Sequence, residues 1–144
     1  MSDVVLGGVS VAYDGVTVVA NLDLTIASGE WLSLIGPNGA GKTSLLRAIA
    51  RLVPFDGQIR IGDEHARALG PRELARRVAM LPQEPQIPPG MTVAQYVLLG
   101  RSPHLGYFGR ESGRDRHIVA DVLRNGYTLR GRVLRPAGVR VERK

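Results

Sequence analysis

Nine consecutive residues in the first third of the chain have the types and the spacing needed to bind phosphate. Residues 36–44 read Gly-Pro-Asn-Gly-Ala-Gly-Lys-Thr-Ser and fit the pattern G-x-x-x-x-G-K-[ST] at every fixed position. Glycines let such a loop curl so that backbone N–H groups point at phosphate oxygens, because no Cβ atom stands in the way. Lys42 supplies a positive charge for the phosphates, and Thr43 a hydroxyl that can ligate Mg²⁺. The motif predicts a nucleotide-binding site.

The elements on either side of the motif suit this chemistry. The short apolar run 31–35 predicts a strand that is buried on both faces, as in the parallel part of a sheet. A helix should begin near Gly41, where its N-terminal dipole favours an anion. Its apolar residues recur at helical spacing, and a proline closes it (Leu45, Leu46, Ile49 and Leu52, then Pro54).

Further short strands and capped helices are predicted along the chain. Residues 9–13 and 22–26 alternate as half-buried strands with the tight-turn pair Asp14-Gly15 after the first, and 58–61 follow the same pattern. Residues 78–81 predict a short buried strand that Pro82 ends. Three helices should begin at Gly70-Pro71, at Thr92 with Gln95 as its capping partner, and at Ser112 with Asp115.

Residues 35–46 closely resemble the Walker A segment of ABC transporter ATP-binding subunits. Tyr13, in the N-terminal strands, lies where that family places an aromatic residue against adenine, although packing is the alternative for a tyrosine on such a strand. Gln83 matches the family's Q-loop glutamine, which reaches Mg²⁺ and the attacking water and also contacts the membrane subunit. A solvated loop residue is the alternative there.

The resemblance implies the fold, the ligands and the site. The fold would be α/β of the P-loop ABC type, with N-terminal antiparallel strands, a partly parallel core sheet and an incomplete remainder. The ligands would be ATP and Mg²⁺, with Lys42 and Gln83 catalytic and Thr43 and Gln83 at the metal. The implied nucleotide-binding residues are Tyr13, Gly36, Asn38, Gly39, Ala40, Gly41, Lys42, Thr43 and Ser44.

Residues 97–106 narrow the resemblance to ATPases of iron-siderophore, haem and cobalamin importers. The implied partners are a transmembrane permease subunit and a second ATP-binding subunit in a homodimer, and the imported solute would not touch this chain. His104 and His117 stand among basic residues without a nearby ligand set, so we interpret them as surface histidines rather than a metal pair.

Composition indicates one globular domain. The chain has 144 residues, of which 44% are hydrophobic and 22% charged, and it contains no cysteine, which excludes a disulfide scaffold and a thiolate metal site. No apolar stretch approaches the roughly 18 residues of a membrane-spanning helix, and residues 1–4 lack the features of a signal peptide. We therefore expect a cytoplasmic protein, peripheral on the inner face of the membrane through its partner.

The net charge of +6 is concentrated in the last twenty residues. Residues 125–144 contain six basic side chains and one acidic, whereas residues 1–124 contain 13 basic and 12 acidic. We assign 1–124 to the N-terminal part of an ABC-type nucleotide-binding domain and 125–144 to a tail outside the family. The tail could pair as a hairpin about Pro136-Ala137-Gly138 or be loose, and a basic arm for nucleic acid or anionic lipid is its functional interpretation.

The segments that the family places after the last helix are not found in the sequence: the Leu-Ser-Gly-Gly signature, the Walker B strand ending in Asp-Glu, and the switch histidine. Walker B carboxylates hold Mg²⁺ and polarise the attacking water. We therefore expect ATP binding with little or no turnover, and a marginally stable product. Arginine outnumbers lysine 17 to 2, as in a GC-rich gene, so a frameshift near Arg124 is our preferred hypothesis for the tail.

Two alternatives belong to other functional classes. The first is another P-loop enzyme such as a small kinase or GTPase, against which stand Tyr13, Gln83 and the lack of a guanine-reading Asn-Lys-x-Asp. The second is a non-enzymatic basic module that binds nucleic acid through the tail. The near-neutral charge of residues 1–124 disfavours it.

Overall fold

A computed structural model describes residues 3–83, 88–105, 112–125, 127–129 and 132–134. The chain divides into two compact units, Met1–Glu84 and Pro85–Lys144. The first unit contains strands β1 (Val4–Tyr13), β2 (Val16–Ile26), β3 (Asp56–Ile61) and β4 (Glu64–His65), with helices α1 (Lys42–Ile49) and α2 (Pro71–Arg77). The second contains α3 (Val93–Leu99), a 3₁₀ turn (Ser102–His104), α4 (Gly113–Asn125), β5 (Tyr127–Leu129) and β6 (Arg132–Leu134).

The sheet of the first unit has the order β2-β1-β3-β4, and each of its neighbouring pairs is antiparallel. The predicted turn between β1 and β2 is confirmed: Asp14 and Gly15 both have positive φ, 48° and 81°. Two such residues match the right-handed twist of the strands they join. The hairpin extends from Val4, opposite Ile26, to Tyr13, opposite Val16, and its register shifts between Leu6 and Ala12.

The core of the first unit lies between this sheet and its helices. Inward side chains of β1 and β3 pack with α1, with α2 and with the segment before α2 (Leu6, Val9, Val11, Leu45, Ala48, Ile59, Ile61, Ala66, Leu69 and Leu74). The start of α2 is the predicted one, because Pro71 occupies its first turn and lacks the N–H that would go unpaired there. Arg77 ties the end of α2 to β4, with nitrogen–oxygen distances of 2.6 Å to Glu64 and 2.8 Å to Glu73.

Two strand predictions are wrong. Residues 31–35 and 78–81 were expected to be buried strands, but neither segment is in a strand, and Ile35 and Leu81 are 94% and 86% exposed. An apolar run becomes a strand only when a neighbouring strand accepts its backbone hydrogen bonds, and no strand of the described residues pairs with either segment. The antiparallel part of the predicted sheet is therefore present, and the described strands form no parallel pair.

Helix α1 ends earlier than its apolar spacing predicted. Its last residue is Ile49, and Leu52 lies beyond it and is largely exposed. The N–H of Leu52 donates to the Arg47 carbonyl at 2.8 Å, and that of Arg51 donates to the Ala48 carbonyl at 2.9 Å. With φ of 54° at Arg51, these bonds form a Schellman motif. Such a motif stops the helix at Ile49, three positions before Leu52.

In the second unit both predicted capping boxes are confirmed. Thr92 and Gln95 exchange hydrogen bonds at the start of α3, and Ser112 and Asp115 do so at the start of α4. Strands β5 and β6 are antiparallel and pair Tyr127 with Leu134 and Leu129 with Arg132. The hairpin predicted about Pro136-Ala137-Gly138 lies outside the described residues. No described helix is long and apolar enough to cross a membrane.

Candidate nucleotide-binding site

The motif forms a glycine loop that leads into α1, as predicted. Gly39 and Gly41 adopt φ of 85° and 76°, a region that L side chains rarely enter. Gly41 is the N-cap of α1; no side chain caps the helix, and its first turn contains no acidic residue. The first backbone N–H groups of a helix have no intrahelical partner, so here they are available to an anion.

Gly41 is also fixed in place by β2. A Cβ atom on Gly41 would stand 2.8 Å from the Cγ2 of Val19 and closer still to the Val18 carbonyl oxygen. Val18 itself packs against the core, which keeps that carbonyl in position. The glycine is therefore required by a neighbouring strand as well as by the curl of the loop.

Lys42 folds back over its own loop. Its Nζ donates to the carbonyl oxygens of Gly36 at 2.7 Å and Pro37 at 2.6 Å. An ammonium has three donors, so one remains for a further acceptor. The two carbonyl oxygens thus fix the ammonium group of Lys42, and its positive charge stays at the loop.

The structure brings Thr43 and Gln83 together although forty positions separate them in the sequence. Both line one cavity of about 590 Å³, whose other lining residues are Arg47, Leu52, Met80 and Pro82. A hydroxyl and a side-chain amide supply the neutral oxygen ligands that Mg²⁺ accepts beside phosphate oxygens and water. The donor types in this cavity thus fit a magnesium–nucleotide complex.

Arg47 is the residue of this cavity that the sequence analysis missed. It is the only charged side chain among the described residues that line the cavity, and none of these is a carboxylate. Its helical spacing could have identified it, because Arg47 stands four residues after Thr43 on α1, and residues at that spacing share one face of a helix. The described part of the cavity lining therefore carries a positive charge, which suits an anionic ligand.

The remaining predicted residues lie as follows. Asn38 and Ala40 are exposed on the loop, and Ser44 is half-buried in the first turn of α1. Tyr13 is at the end of β1 and 37% exposed, and it is not among the residues that line the cavity of Thr43 and Gln83. The described residues contain no group of three His, Asp or Glu side chains that could hold a metal ion.

The comparisons with known proteins bear on the family of this chain. The sequence profile of the family described as "ABC transporter" matches residues 19–136, which reaches past the boundary that we placed at 124. Petrobactin import ATP-binding protein FpuD of Bacillus anthracis is 36% identical over 79% of this chain and 42% of its own length. Iron(3+)-hydroxamate import ATP-binding protein FhuC of Bacillus subtilis (strain 168) is 34% identical over 76% of this chain and 41% of its own.

A third relative and a solved structure complete the comparison. Hemin import ATP-binding protein HmuV of Rhodopseudomonas palustris (strain HaA2) is 43% identical over 62% of this chain and 34% of its own length. A structure described as a metal-chelate type ABC transporter in an inward-facing conformation has a TM-score of 0.67 and 21% identity. It covers 85% of this chain and 44% of its own, and it supports the fold.

This chain spans about two fifths of the length of the first two of these relatives. The family match nevertheless covers most of residues 1–144 and includes the whole glycine loop, α1 and Gln83. The resemblance inferred from the loop, from Tyr13 and from Gln83 is confirmed, and the chain belongs to the ABC transporter family.

Proposed function

We propose that this chain binds MgATP and is the nucleotide-binding part of the ATP-binding subunit of an importer for an iron chelate, haem or a cobalamin-like solute. The observation that carries the proposal is the cavity shared by Thr43 and Gln83, at the end of a glycine loop whose lysine is already in place. The solute class rests on the names of the relatives, which are import proteins for petrobactin, iron hydroxamate and hemin.

The loop and Lys42 would hold the phosphates. The backbone N–H groups at the start of α1 face no capping side chain, so phosphate oxygens would be their acceptors. The third donor of Lys42 Nζ would go to the terminal phosphates while the other two keep their bonds to the loop. Asn38, Gly39 and Ala40 would contribute through their backbone.

Thr43 and Gln83, which both line the cavity, would hold the metal. Mg²⁺, when bound, neutralises charge that develops on the phosphate oxygens. Gln83 would orient water with its side-chain amide, and Arg47 would add positive potential from the next turn of α1. Tyr13 would stack on adenine with the exposed part of its ring, a contact that contributes about 1–3 kcal/mol in other base–aromatic stacks.

The partners belong to the same proposal. A transmembrane permease subunit would hold the chain at the inner face of the membrane, and a second ATP-binding subunit would complete a dimer. Within the part of the chain that the structure describes, no residue that lines the cavity is a carboxylate, the group that polarises an attacking water in this kind of hydrolysis. We therefore expect this chain alone to bind ATP with little or no turnover.

A binding titration tests the proposal. Isothermal titration with MgATP should give binding for the wild type and none measurable for Lys42→Ala, because each charged hydrogen bond contributes about 1.5–3 kcal/mol. Arg60→Ala is the control, since it removes a positive side chain that bonds the Asp63 carbonyl on an exposed part of β3. Unchanged ATP affinity in Lys42→Ala would refute the site.

A further inference from the structure

The tip of the glycine loop contains an asparagine that is followed by a glycine. Asn38 and Gly39 are the central residues of a turn that the Ala40 N–H closes by donating to the Pro37 carbonyl at 3.3 Å. The φ of 85° at Gly39 is the one that the third position of a type II turn requires. The closing bond of such a turn uses the N–H of its fourth residue, so the Gly39 N–H takes no part in it.

The side chain of Asn38 and the backbone nitrogen of Gly39 are both accessible. The two residues are exposed, and neither the Asn38 carboxamide nor the Gly39 N–H has a hydrogen-bond partner among the described residues. Beyond the chain neighbours of Gly39, no described atom lies within 4 Å of the point that a Cβ atom would occupy. Glycine also adopts φ/ψ values that other residues avoid. The Gly39 nitrogen is therefore free to approach the side-chain carbonyl carbon of Asn38.

We propose that Asn38 is a site of spontaneous deamidation, with the Gly39 backbone nitrogen as the nucleophile. Asparagine is one of the thermolabile residues of proteins. A base takes the proton of the Gly39 N–H, the nitrogen forms a bond to Cγ of Asn38, and a succinimide ring closes. The Cγ–Nδ2 bond breaks, and the amide nitrogen takes up a proton and leaves as ammonia. Water then adds to either ring carbonyl, breaks its C–N bond and leaves aspartate or isoaspartate at this position.

Deamidation would place an acidic group in a loop that has none. Residues 36–44 contain Lys42 and no acidic side chain. The new carboxylate would follow Pro37, whose carbonyl oxygen already accepts from Lys42 Nζ at 2.6 Å. The third donor of that ammonium would then have an anionic acceptor within its own loop, and a phosphate would meet a like charge. Isoaspartate would also lengthen the backbone ahead of Gly39 by one carbon. We therefore expect the deamidated loop to lose its affinity for nucleotide.

This loss of affinity rests on the proposed function, whereas the deamidation itself does not. In the proposed complex the backbone of Asn38, Gly39 and Ala40 contributes to phosphate binding. A phosphate oxygen that accepts from the Gly39 N–H would occupy the nucleophile and fix the turn. MgATP should therefore slow the loss of the Asn38 amide.

The first tryptic peptide, which ends at Lys42, carries both the test and its internal control. It contains Asn38 and also Asn21, whose following residue Leu22 has a side chain and lies in the paired strand β2. The folded wild type is incubated without nucleotide at neutral and mildly alkaline pH, and fragmentation mass spectrometry locates each amide that has become a carboxyl. We expect Asn38 to react at least about tenfold faster than Asn21, or about 1.4 kcal/mol in activation free energy, and faster as the pH rises. The other Asn-Gly pair of the chain, at 125–126, falls in a separate peptide.

Two matched glycine variants test the nucleophile. Gly39→Ala should slow the reaction of Asn38 about tenfold, because a Cβ atom crowds the nitrogen and restricts the rotation that closes the ring. Gly15→Ala is the control, since Gly15 also has a positive φ, 81°, and open space around it but lies in the β1–β2 turn. Its Asn38 should react as fast as that of the wild type. Circular dichroism shows whether both variants keep the fold.

Isothermal titration with MgATP measures the consequence. The binding-competent fraction of the wild type should fall during incubation in step with the loss of the Asn38 amide. Asn38→Gln should keep the fraction with which it starts, because its longer side chain would have to close a larger ring. Incubation of the wild type with MgATP should preserve both the amide and the binding.

The inference is overturned if Asn38 keeps its amide as long as Asn21 does, or if Gly39→Ala loses the amide as fast as the wild type. It is also overturned if fully deamidated protein binds MgATP as tightly as fresh protein. The two proposals fail separately. Fresh protein that binds no MgATP but loses the Asn38 amide would refute the proposed function and support the deamidation. Fresh protein that binds MgATP and keeps the amide on incubation without nucleotide would refute the deamidation alone.

Discussion

The side chain of Val19 lies 2.8 Å from the point that a Cβ atom on Gly41 would occupy. Gly41 is the last glycine of the phosphate-binding motif, and Val19 belongs to β2, more than twenty positions earlier. The β1–β2 hairpin thus leaves no room for a side chain at Gly41, and this requirement is separate from the positive φ of that glycine. Gly39 provides the comparison, because its φ is also positive but nothing within 4 Å would meet an added Cβ.

We expect Gly41→Ala to destabilise the first unit more than Gly39→Ala does. Left-handed backbone costs an L residue about 1–2 kcal/mol, which is the whole expected loss for Gly39→Ala. In Gly41→Ala the overlap with β2 adds about 1–3 kcal/mol, as in an overpacked core. Urea unfolding of both variants measures the difference, and equal midpoints would contradict the contact with β2.

Removing the Thr43 hydroxyl should weaken ATP binding only when magnesium is present. Thr43→Val keeps the shape of the side chain and removes a metal ligand, and Gln83→Leu does the same at the other position of the cavity. For each variant, we expect the gain in ATP affinity on adding Mg²⁺ to fall about tenfold, or about 1.4 kcal/mol. Thr17→Val, on an exposed part of β2, should keep the full gain.

The same titration in the presence of a chelator is the essential comparison. If Thr43→Val lost affinity equally with and without Mg²⁺, the hydroxyl would be part of the loop geometry and not a metal ligand. If Gln83→Leu alone kept the full magnesium effect, the shared cavity would not be the metal site.

The sequence predicted those parts of the fold whose causes are local. The Asp14-Gly15 turn, Pro71 at a helix start and the capping boxes at Thr92 and Ser112 depend on a few neighbouring residues, and all are present. Residues 31–35 and 78–81 were misjudged because a strand also depends on a partner, and an apolar run does not say whether one is at hand. Because no described strand pairs with these two segments, large apolar side chains in both of them are exposed.

In the candidate site, too, some residues could be predicted from the sequence and one could not. The loop, Lys42 and Thr43 follow from a motif that is continuous in the chain. Gln83 was found through the resemblance, and Arg47 was missed because no motif includes it, although its helical spacing from Thr43 places it on the same face. The tail boundary at 124 and the roles of the individual site residues stay predictions.

Arg51 should be more costly to replace by alanine than by glycine. Its Nη1 donates to the carbonyl oxygens of Ala66 at 2.8 Å and Leu69 at 2.6 Å, and both variants lose these bonds. Glycine also relieves the backbone at φ of 54°, whereas alanine keeps about 1 kcal/mol of strain there. Thermal or urea unfolding should order the proteins as wild type, Arg51→Gly and Arg51→Ala, from most to least stable.

The alternative order would be informative. If Arg51→Gly were more stable than the wild type, relief of the backbone would outweigh both hydrogen bonds, and the arginine would not fasten the end of α1 to the segment before α2. If glycine and alanine were equivalent, the positive φ at this Schellman position would not persist in solution.

Asp115 should make the second unit sensitive to acid. The Ser112 hydroxyl donates to its carboxylate at 2.6 Å and the Arg101 Nε at 3.0 Å, and these bonds lower the pKa of Asp115 from 3.8 to about 2. Because the folded pKa lies below the unfolded one, the stabilisation is complete above about pH 4 and is lost as the pH falls toward 2.

Unfolding measured between pH 2 and pH 6 tests this. Asp115→Asn should be less stable than the wild type at pH 6 and should lose less further stability on acidification. Asp121→Asn, at an exposed position of α4, should keep the wild-type pH dependence. Carboxyl carbon NMR gives the pKa of Asp115 directly, and a titration midpoint near 4 would contradict the assigned hydrogen bonds.

The β1–β2 hairpin also sets an order of events during synthesis. Its contacts are local in sequence and close around a two-residue turn, and hairpins of this kind form within microseconds, whereas a ribosome adds about 5–20 residues per second. Residues 4–26 leave the ribosome before residues 36–43, and β3, which pairs with the other edge of β1, comes later still. The strand that receives Gly41 is thus able to form before Gly41 emerges.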